Sequence, residues 1–224
     1  MHLDLAVDFS TKQLRGNATH TMQVVKTTRQ AQFDIWSLNI GACYNATSGY
    51  PLNFTIHQPN PLIGSVLLVQ FPRDVLVGEK VVIRISYETS ATGHAFSWLS
   101  AEQTAGKILP YMFTQCEDIN CRSVAPLQDT PSNRITYSAN ITAPAEFVVK
   151  MSANETGLIK VNDKVNLSTF HCAIPIPSYL IAMAVGDLEY RSLGARVGVI
   201  TEPSQMDKVA NELSDMGMLL DAVE

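Results

Sequence analysis

Lys80-Val81-Val82-Ile83-Arg84-Ile85-Ser86-Tyr87 is the stretch that decides the fold. Val81, Ile83 and Ile85 occupy alternate positions, and alternate residues of an extended chain point to one face. The segment therefore reads as a strand with one buried side. The same period-two pattern recurs from Leu3 to about Ala173, in short runs broken by Gly, Pro, Asn and Ser clusters. Further candidate strands are 20–26, 31–38, 61–71, 133–143, 147–152 and 158–162. Many short strands joined by turns imply an all-β fold, either a sandwich or a large antiparallel sheet. No internal repeat or low-complexity linker interrupts the series.

The end of the chain changes period. After Thr201-Glu202-Pro203, the apolar residues Met206, Val209, Leu213, Met216, Leu220 and Val223 recur at three- and four-residue steps, a helical stripe. Pro203 suits a first helical turn, and Glu202 and Asp207 complement the positive end of the helix dipole. Gly217 weakens the far half. The chain is thus expected to divide into a β region, 1–202, and a helical tail, 203–224. A stripe still running at the last residue asks for a surface to pack on, and a missing following domain is the favoured one.

Composition narrows the function classes. Of 224 residues, 46% are hydrophobic and 17% charged, which excludes a disordered chain and a coiled coil. At roughly 100 to 200 residues per domain, one large domain or two small ones are expected. With 16 basic against 21 acidic side chains and no long Lys/Arg run, the footprint of a nucleic-acid binder is missing. The longest apolar run, 179–185, is far below the roughly 20 residues needed to cross a bilayer. Neither a nucleic acid nor a membrane is expected as a partner. Residues 1–7 alternate apolar and polar with no basic n-region, so they do not read as a secretory signal, and the chain reads as starting inside a strand whose upstream residues have been lost.

Cys43, Cys116, Cys121 and Cys172 are too few and too scattered for a disulfide framework, so reduced thiols and a cytoplasmic location are the default. Cys116 and Cys121 are spaced C-x4-C without a second pair or a His couple, and they read as core thiols rather than a zinc knuckle. Against the cytoplasm stand six N-x-[ST] sequons, at Asn17, Asn45, Asn53, Asn140, Asn154 and Asn166, and these keep secretion as the alternative.

The five histidines are isolated, and no HExxH, G-x-S-x-G, G-x-x-x-x-G-K-[ST] or G-x-G-x-x-G pattern occurs, so the chain alone reads as non-catalytic, with no metal site of its own. The informative stretch is Tyr111-Met112-Phe113-Thr114-Gln115-Cys116-Glu117-Asp118-Ile119-Asn120-Cys121-Arg122, followed by Gln128-Asp129-Thr130-Pro131-Ser132. It is polar in an otherwise strand-like chain. Gln115 and Glu117 would share one side of an extended segment, where they either line a cleft or face water. The segment Asp129-Thr130-Pro131 reads as a turn with Pro131 fixing the backbone.

These residues carry a resemblance. Leu3 to Ser10, Trp98-Leu99-Ser100-Ala101-Glu102-Gln103-Thr104, the stretch from Tyr111 to Ser132, and Pro175-Ile176-Pro177-Ser178-Tyr179-Leu180-Ile181-Ala182 are similar in order to the N-terminal domain of the zinc metallopeptidase family M1, in its leukotriene A-4 hydrolase-like aminopeptidase branch. The match is weakest over 41–59. The resemblance implies a saddle-shaped, mostly antiparallel β domain that packs on a thermolysin-like catalytic domain. In that family the catalytic domain holds the zinc ligands and the general-base glutamate, and zinc-activated water attacks the first peptide carbonyl. This chain stops before those motifs.

The resemblance also implies that the N-terminal domain lends the cleft a Gln-x-Gln or Gln-x-Glu pair that contacts the free amino terminus of a peptide substrate. Here the pair is Gln115-Cys116-Glu117. The hydrolase branch usually has Gln at the second position, so Glu117 favours aminopeptidase chemistry and leaves epoxide hydrolysis in doubt. Two other functions stay open: a stand-alone non-catalytic binding module with this fold, and a secreted β-sandwich interaction domain. Uncovered apolar surface on the tail and on the face meant for a catalytic domain further leads one to expect self-association.

Overall fold

Alternating side chains lie alternately inward and outward along the strands of the structure, a computed structural model that describes residues 1–224. In chain order the first strands are β1 (His2–Asp8), β2 (Gln13–Gln23), β3 (Thr28–Ile35), β4 (Asn39–Asn45), β5 (Pro51–Leu52) and β6 (Phe54–Ile56). Next come β7 (Ser65–Val75), β8 (Lys80–Glu88), β9 (Phe96–Leu99), β10 (Tyr111–Thr114), β11 (Arg134–Pro144) and β12 (Val148–Met151). The last are β13 (Asn154–Asn162), β14 (Val165–Pro177), β15 (Met183–Gly186), β16 (Glu189–Ser192) and β17 (Gly198–Thr201).

Eight strands form one sheet in the order β13-β14-β11-β1-β2-β8-β4-β5. A four-stranded sheet, β12-β15-β10-β9, and a three-stranded one, β3-β7-β6, complete the core, and β16 and β17 form a separate hairpin. Pairing is antiparallel except between β1 and β11, so the fold is all-β and mostly antiparallel, with helices at its C-terminal end.

One continuous core joins the three sheets. Leu3, Leu5, Leu14, Ile83, Ile85, Tyr87, Tyr137 and Ile141 of the large sheet meet Met112, Val149 and Val185 of the four-stranded sheet and Phe33, Leu67 and Val69 of the three-stranded one. In the opening segment Ile83, Ile85 and Tyr87 are buried, while Arg84 faces out and stacks its guanidinium on Tyr44. The hairpin between β1 and β2 requires a glycine: a Cβ on Gly16 would stand 1.9 Å from the carbonyl oxygen of Asp4.

Two of the expected strands change at turns. The strand expected over 20–26 starts earlier and stops at Gln23, where the chain turns so that Val24 can pair with the β7–β8 hairpin through Glu79 and Gly78. The strand expected from Pro61 starts at Ser65, because Asn60 and Gly64 close a turn with two backbone hydrogen bonds. Gly64 sits at φ +81 there, and a Cβ would be 2.4 Å from the oxygen of Ile35.

The apolar stripe of the tail is divided. After a 3-10 turn at Pro203–Gln205 come α1 (Met206–Glu212) and α2 (Met216–Val223), with a break between them. Met206 and Ala210 bury against Val199 of β17, whereas Met218 and Val223 of α2 are 67% and 81% exposed. Nor does Glu202 act on the helix end as expected. Its two carboxylate oxygens accept the backbone N–H groups of Ala105 (2.9 Å) and Gly106 (3.1 Å), tying the tail to the loop before β10. No helix is long and apolar enough to cross a membrane.

Candidate functional site

β10 delivers the site. Met112 at its centre is fully buried and pairs with Trp98 of β9 and Val185 of β15, so the strand is held on both edges and from below. The Thr114 hydroxyl accepts the N–H of Met183 (2.9 Å), and the next residue, Gln115, donates its N–H to the oxygen of Ala95 (2.8 Å). Beyond that the chain leaves the sheet. Cys116 points into the core at 1% exposure, so Gln115 and Glu117 on either side of it are exposed. The strand ends at Thr114 and Glu117 begins a turn, so burial of Cys116 rather than strand alternation orients the pair.

Short polar links hold this turn. Asn120 donates its backbone N–H to Cys116 O and its side-chain amide to Glu117 O, both at 2.8 Å. The Ser123 hydroxyl donates to Asn120 O (2.7 Å) and accepts the N–H of Ala95 (3.0 Å), closing the loop against the β9 side.

The anchor beneath is a buried ion pair. Arg122, in a 3-10 turn over Cys121–Ser123, donates its backbone N–H (3.1 Å) and Nε (3.0 Å) to Oδ2 of Asp129 and its Nη2 to the Asp129 carbonyl. Its Nη1 donates to the oxygen of Ile63. The other Asp129 oxygen accepts the hydroxyl of Ser178 (2.6 Å), and the Asp129 N–H donates to Asp34 on β3 (2.9 Å). The pair thus fastens the polar loop to β3, to the 57–64 loop and to the end of β14. Reading Asp129-Thr130-Pro131 as a turn accounted for Pro131 and missed this role of Asp129. Arg122, Asp129, Ser178 and Asn120 lie within the stretches quoted from sequence but were given no part in the site, although two charged residues flanking the apolar run Val124 to Leu127 were a usable signal.

Both thiols beneath the loop are buried, and the Cys116 neighbour together with burial pushes the Cys121 thiol well above the ordinary range. A thiol held neutral in this way is a poor nucleophile. No three His, Cys, Asp or Glu side chains converge into a group that could hold a metal ion. Cavities of about 510 and 500 Å3 lie beside β2, between it and the start of β11 and between it and β3, and border neither Gln115 nor Glu117. What the site offers is an exposed carboxylate and an exposed amide on a rigid mount, suited to a cation and a hydrogen-bond donor or acceptor beside it.

Three β-sheets sharing one core, with a polar Gln-x-Glu loop clamped at the surface through a buried ion pair, define an all-β domain that presents an exposed polar loop. The chain belongs to the family of the peptidase M1 N-terminal domain, whose family model matches residues 1–180. It is 34% identical to leukotriene A-4 hydrolase of Xenopus laevis over 227 residues, covering 100% of this chain and 37% of that protein. It is 33% identical to leucine aminopeptidase 2 of Yarrowia lipolytica, covering 98% of this chain and 33% of the relative. The structure of native yeast LTA4 hydrolase superposes with a TM-score of 0.86 at 28% identity, over 97% of this chain and 33% of that one. The chain therefore spans about a third of the length of these relatives.

Proposed function

We propose that this chain serves as the non-catalytic N-terminal domain of a leukotriene A-4 hydrolase-like zinc aminopeptidase, binding the amino terminus of a peptide while a catalytic domain outside this chain hydrolyses it. The observation that carries the reading is the exposure of Gln115 and Glu117 together on a loop whose backbone is fixed at Ala95, Asn120 and Ser123. The Glu117 carboxylate receives the substrate α-ammonium, and Gln115 positions the carbonyl or side chain of the first residue. A charge-assisted hydrogen bond to a cation is worth roughly 1.5 to 3 kcal/mol. Glu117→Gln in the longer protein keeps the shape and removes the charge, so kcat/KM on aminoacyl substrates should fall about ten- to a hundredfold. An unchanged kcat/KM refutes the assignment.

Two further measurements bear on the reading. An immunoblot of source cells should show a band at the size of the full-length relatives; a lone band at 24.6 kDa would replace this reading with a stand-alone binding module. The isolated chain should self-associate, since Leu158, Ile159, Val161 and Ile174 on the β13–β14 hairpin and Met218 and Val223 on the tail are exposed, and a strictly monomeric profile at high concentration counts against an uncovered interface. Four free cysteines support a cytoplasmic location. Secretion is the alternative, and a glycosidase-induced mobility shift of native protein, for which Asn53 and Asn154 are the exposed sequon residues, would establish it.

A further inference from the structure

At the far end of the three-stranded sheet two turns come together. Val24 donates its N–H to Glu79 O (2.9 Å) and accepts the N–H of Gly78 (2.8 Å), which locks the β2–β3 turn to the β7–β8 hairpin. Three aliphatic side chains project from the joined turns: Val25 is 89%, Leu76 56% and Val77 63% exposed. The hairpin is stiff, because Arg73 forks onto Glu79 (Nη1–Oε1 3.0 Å, Nη2–Oε2 2.6 Å) and Glu79 also accepts the N–H of Leu76 (2.8 Å). The apolar knob is therefore preformed.

Its surroundings are basic in a chain of net charge −5. Within the two segments, 24–29 and 73–80, Lys26, Arg29, Arg73 and Lys80 outnumber Asp74 and Glu79. Both carboxylates are already engaged, Asp74 with Arg29 (3.3 Å) and Glu79 with Arg73, so Lys26 and Lys80 are exposed with no acidic neighbour left to neutralise them. At physiological salt, screening over about 8 Å lets this local excess dominate over the distant acidic charge.

We propose that the joined turns are a docking tip for an anionic lipid surface. Aliphatic side chains on a convex, rigid tip enter the interfacial layer, and the two lysines meet anionic headgroups at its edge. The direction is compatible with the polar loop. β3 runs from the tip at Thr28 to Ile35, whose neighbour Trp36 donates its N–H to Arg122 O beneath that loop. Eight residues at about 3.3 Å each separate the two ends by about 25 Å, so a docked tip leaves the polar loop at a distance from the lipid. Sequence reading named no membrane partner because neither turn is a basic run or a spanning segment; the two are brought together only by the fold.

Co-sedimentation with vesicles of equal parts phosphatidylcholine and phosphatidylserine, against phosphatidylcholine alone, tests this. The chain should bind the anionic vesicles and not the neutral ones, with binding weakened by added salt. Val25→Ser with Leu76→Ser and Val77→Ser should abolish it. Lys26→Gln with Lys80→Gln should reduce it about thirtyfold. Ile108→Ser, an exposed aliphatic residue in the loop before β10, should leave it unchanged. Should the serine variant fail to fold, the lysine pair decides. Absence of binding, equal binding to neutral vesicles, or binding insensitive to the tip variants overturns the proposal.

Discussion

Replacing Asp129 with alanine removes the acceptor of three donated hydrogen bonds, from the Arg122 N–H, Arg122 Nε and the Ser178 hydroxyl, and the partner of a nearly dry guanidinium. The side chains of Arg122 and Asp129 are 8% and 1% exposed, so water cannot replace what is lost. The nearest remaining carboxylate, Asp34, lies 4.0 Å away and is itself partly solvated. Breaking a buried pair by removing one partner costs roughly 3 to 5 kcal/mol, because a charge is left uncompensated. At about 2 to 4 °C per kcal/mol for a domain of this size, Tm should fall by about 6 to 20 °C. Replacing both partners with apolar residues, Arg122→Met with Asp129→Leu, should recover most of that loss, since the uncompensated charge goes as well. Calorimetry or thermal circular dichroism of both variants measures it. A Tm loss below about 2 °C for Asp129→Ala, or a double variant no more stable than the single one, would refute the claim that this pair anchors the polar loop.

Stability should also depend on pH through His20. Burial, with a smaller effect of the nearby amino terminus, pushes its imidazole down to about 4, against an ordinary 6.5, while Nε2 lies 2.8 Å from Pro126 O. Between those values the unfolded chain binds a proton that the folded chain refuses, so the contribution of neutral His20 is complete above pH 6.5 and is lost as pH falls toward 4. Urea midpoints should therefore drop across this window in the parent and drop less in His20→Gln, which keeps a donor for Pro126; identical drops would contradict the assignment. Gly16→Ala should destabilise by about 2 to 4 kcal/mol, because its Cβ would meet a backbone oxygen that can move only by parting β1 from β2. A urea-derived loss under about 0.5 kcal/mol would show that the strands separate easily there.

Much of the fold was legible because strand periodicity is a local property of the backbone. Alternation over 80–87 was enough to place Ile83 and Ile85 inside, whatever sheet the strand joined. Burial of Cys116 and Cys121 was legible from composition instead, as small apolar side chains in a chain without a second thiol pair. The tail was legible as helical in period but not in extent, since a stripe records which residues want burial and not where the axis breaks. The parallel pairing of β1 with β11, and the assembly of the tip from turns at Val25 and Leu76, depend on segments far apart in the chain, and no window of sequence contains them.

The candidate site divides along the same line. Sequence alone determined that Gln115 and Glu117 are polar residues two apart in an otherwise strand-like chain, and that this chain carries no HExxH pattern. Tertiary structure decided that both are exposed on a fixed turn, and that the turn is fixed by Arg122 clamped between Asp129, Ile63 and, through Asp129, Ser178. The physical reason is that a buried charge is tolerable only where several donors and acceptors converge on it. Such convergence is a property of three-dimensional packing among residues that lie far apart along the chain.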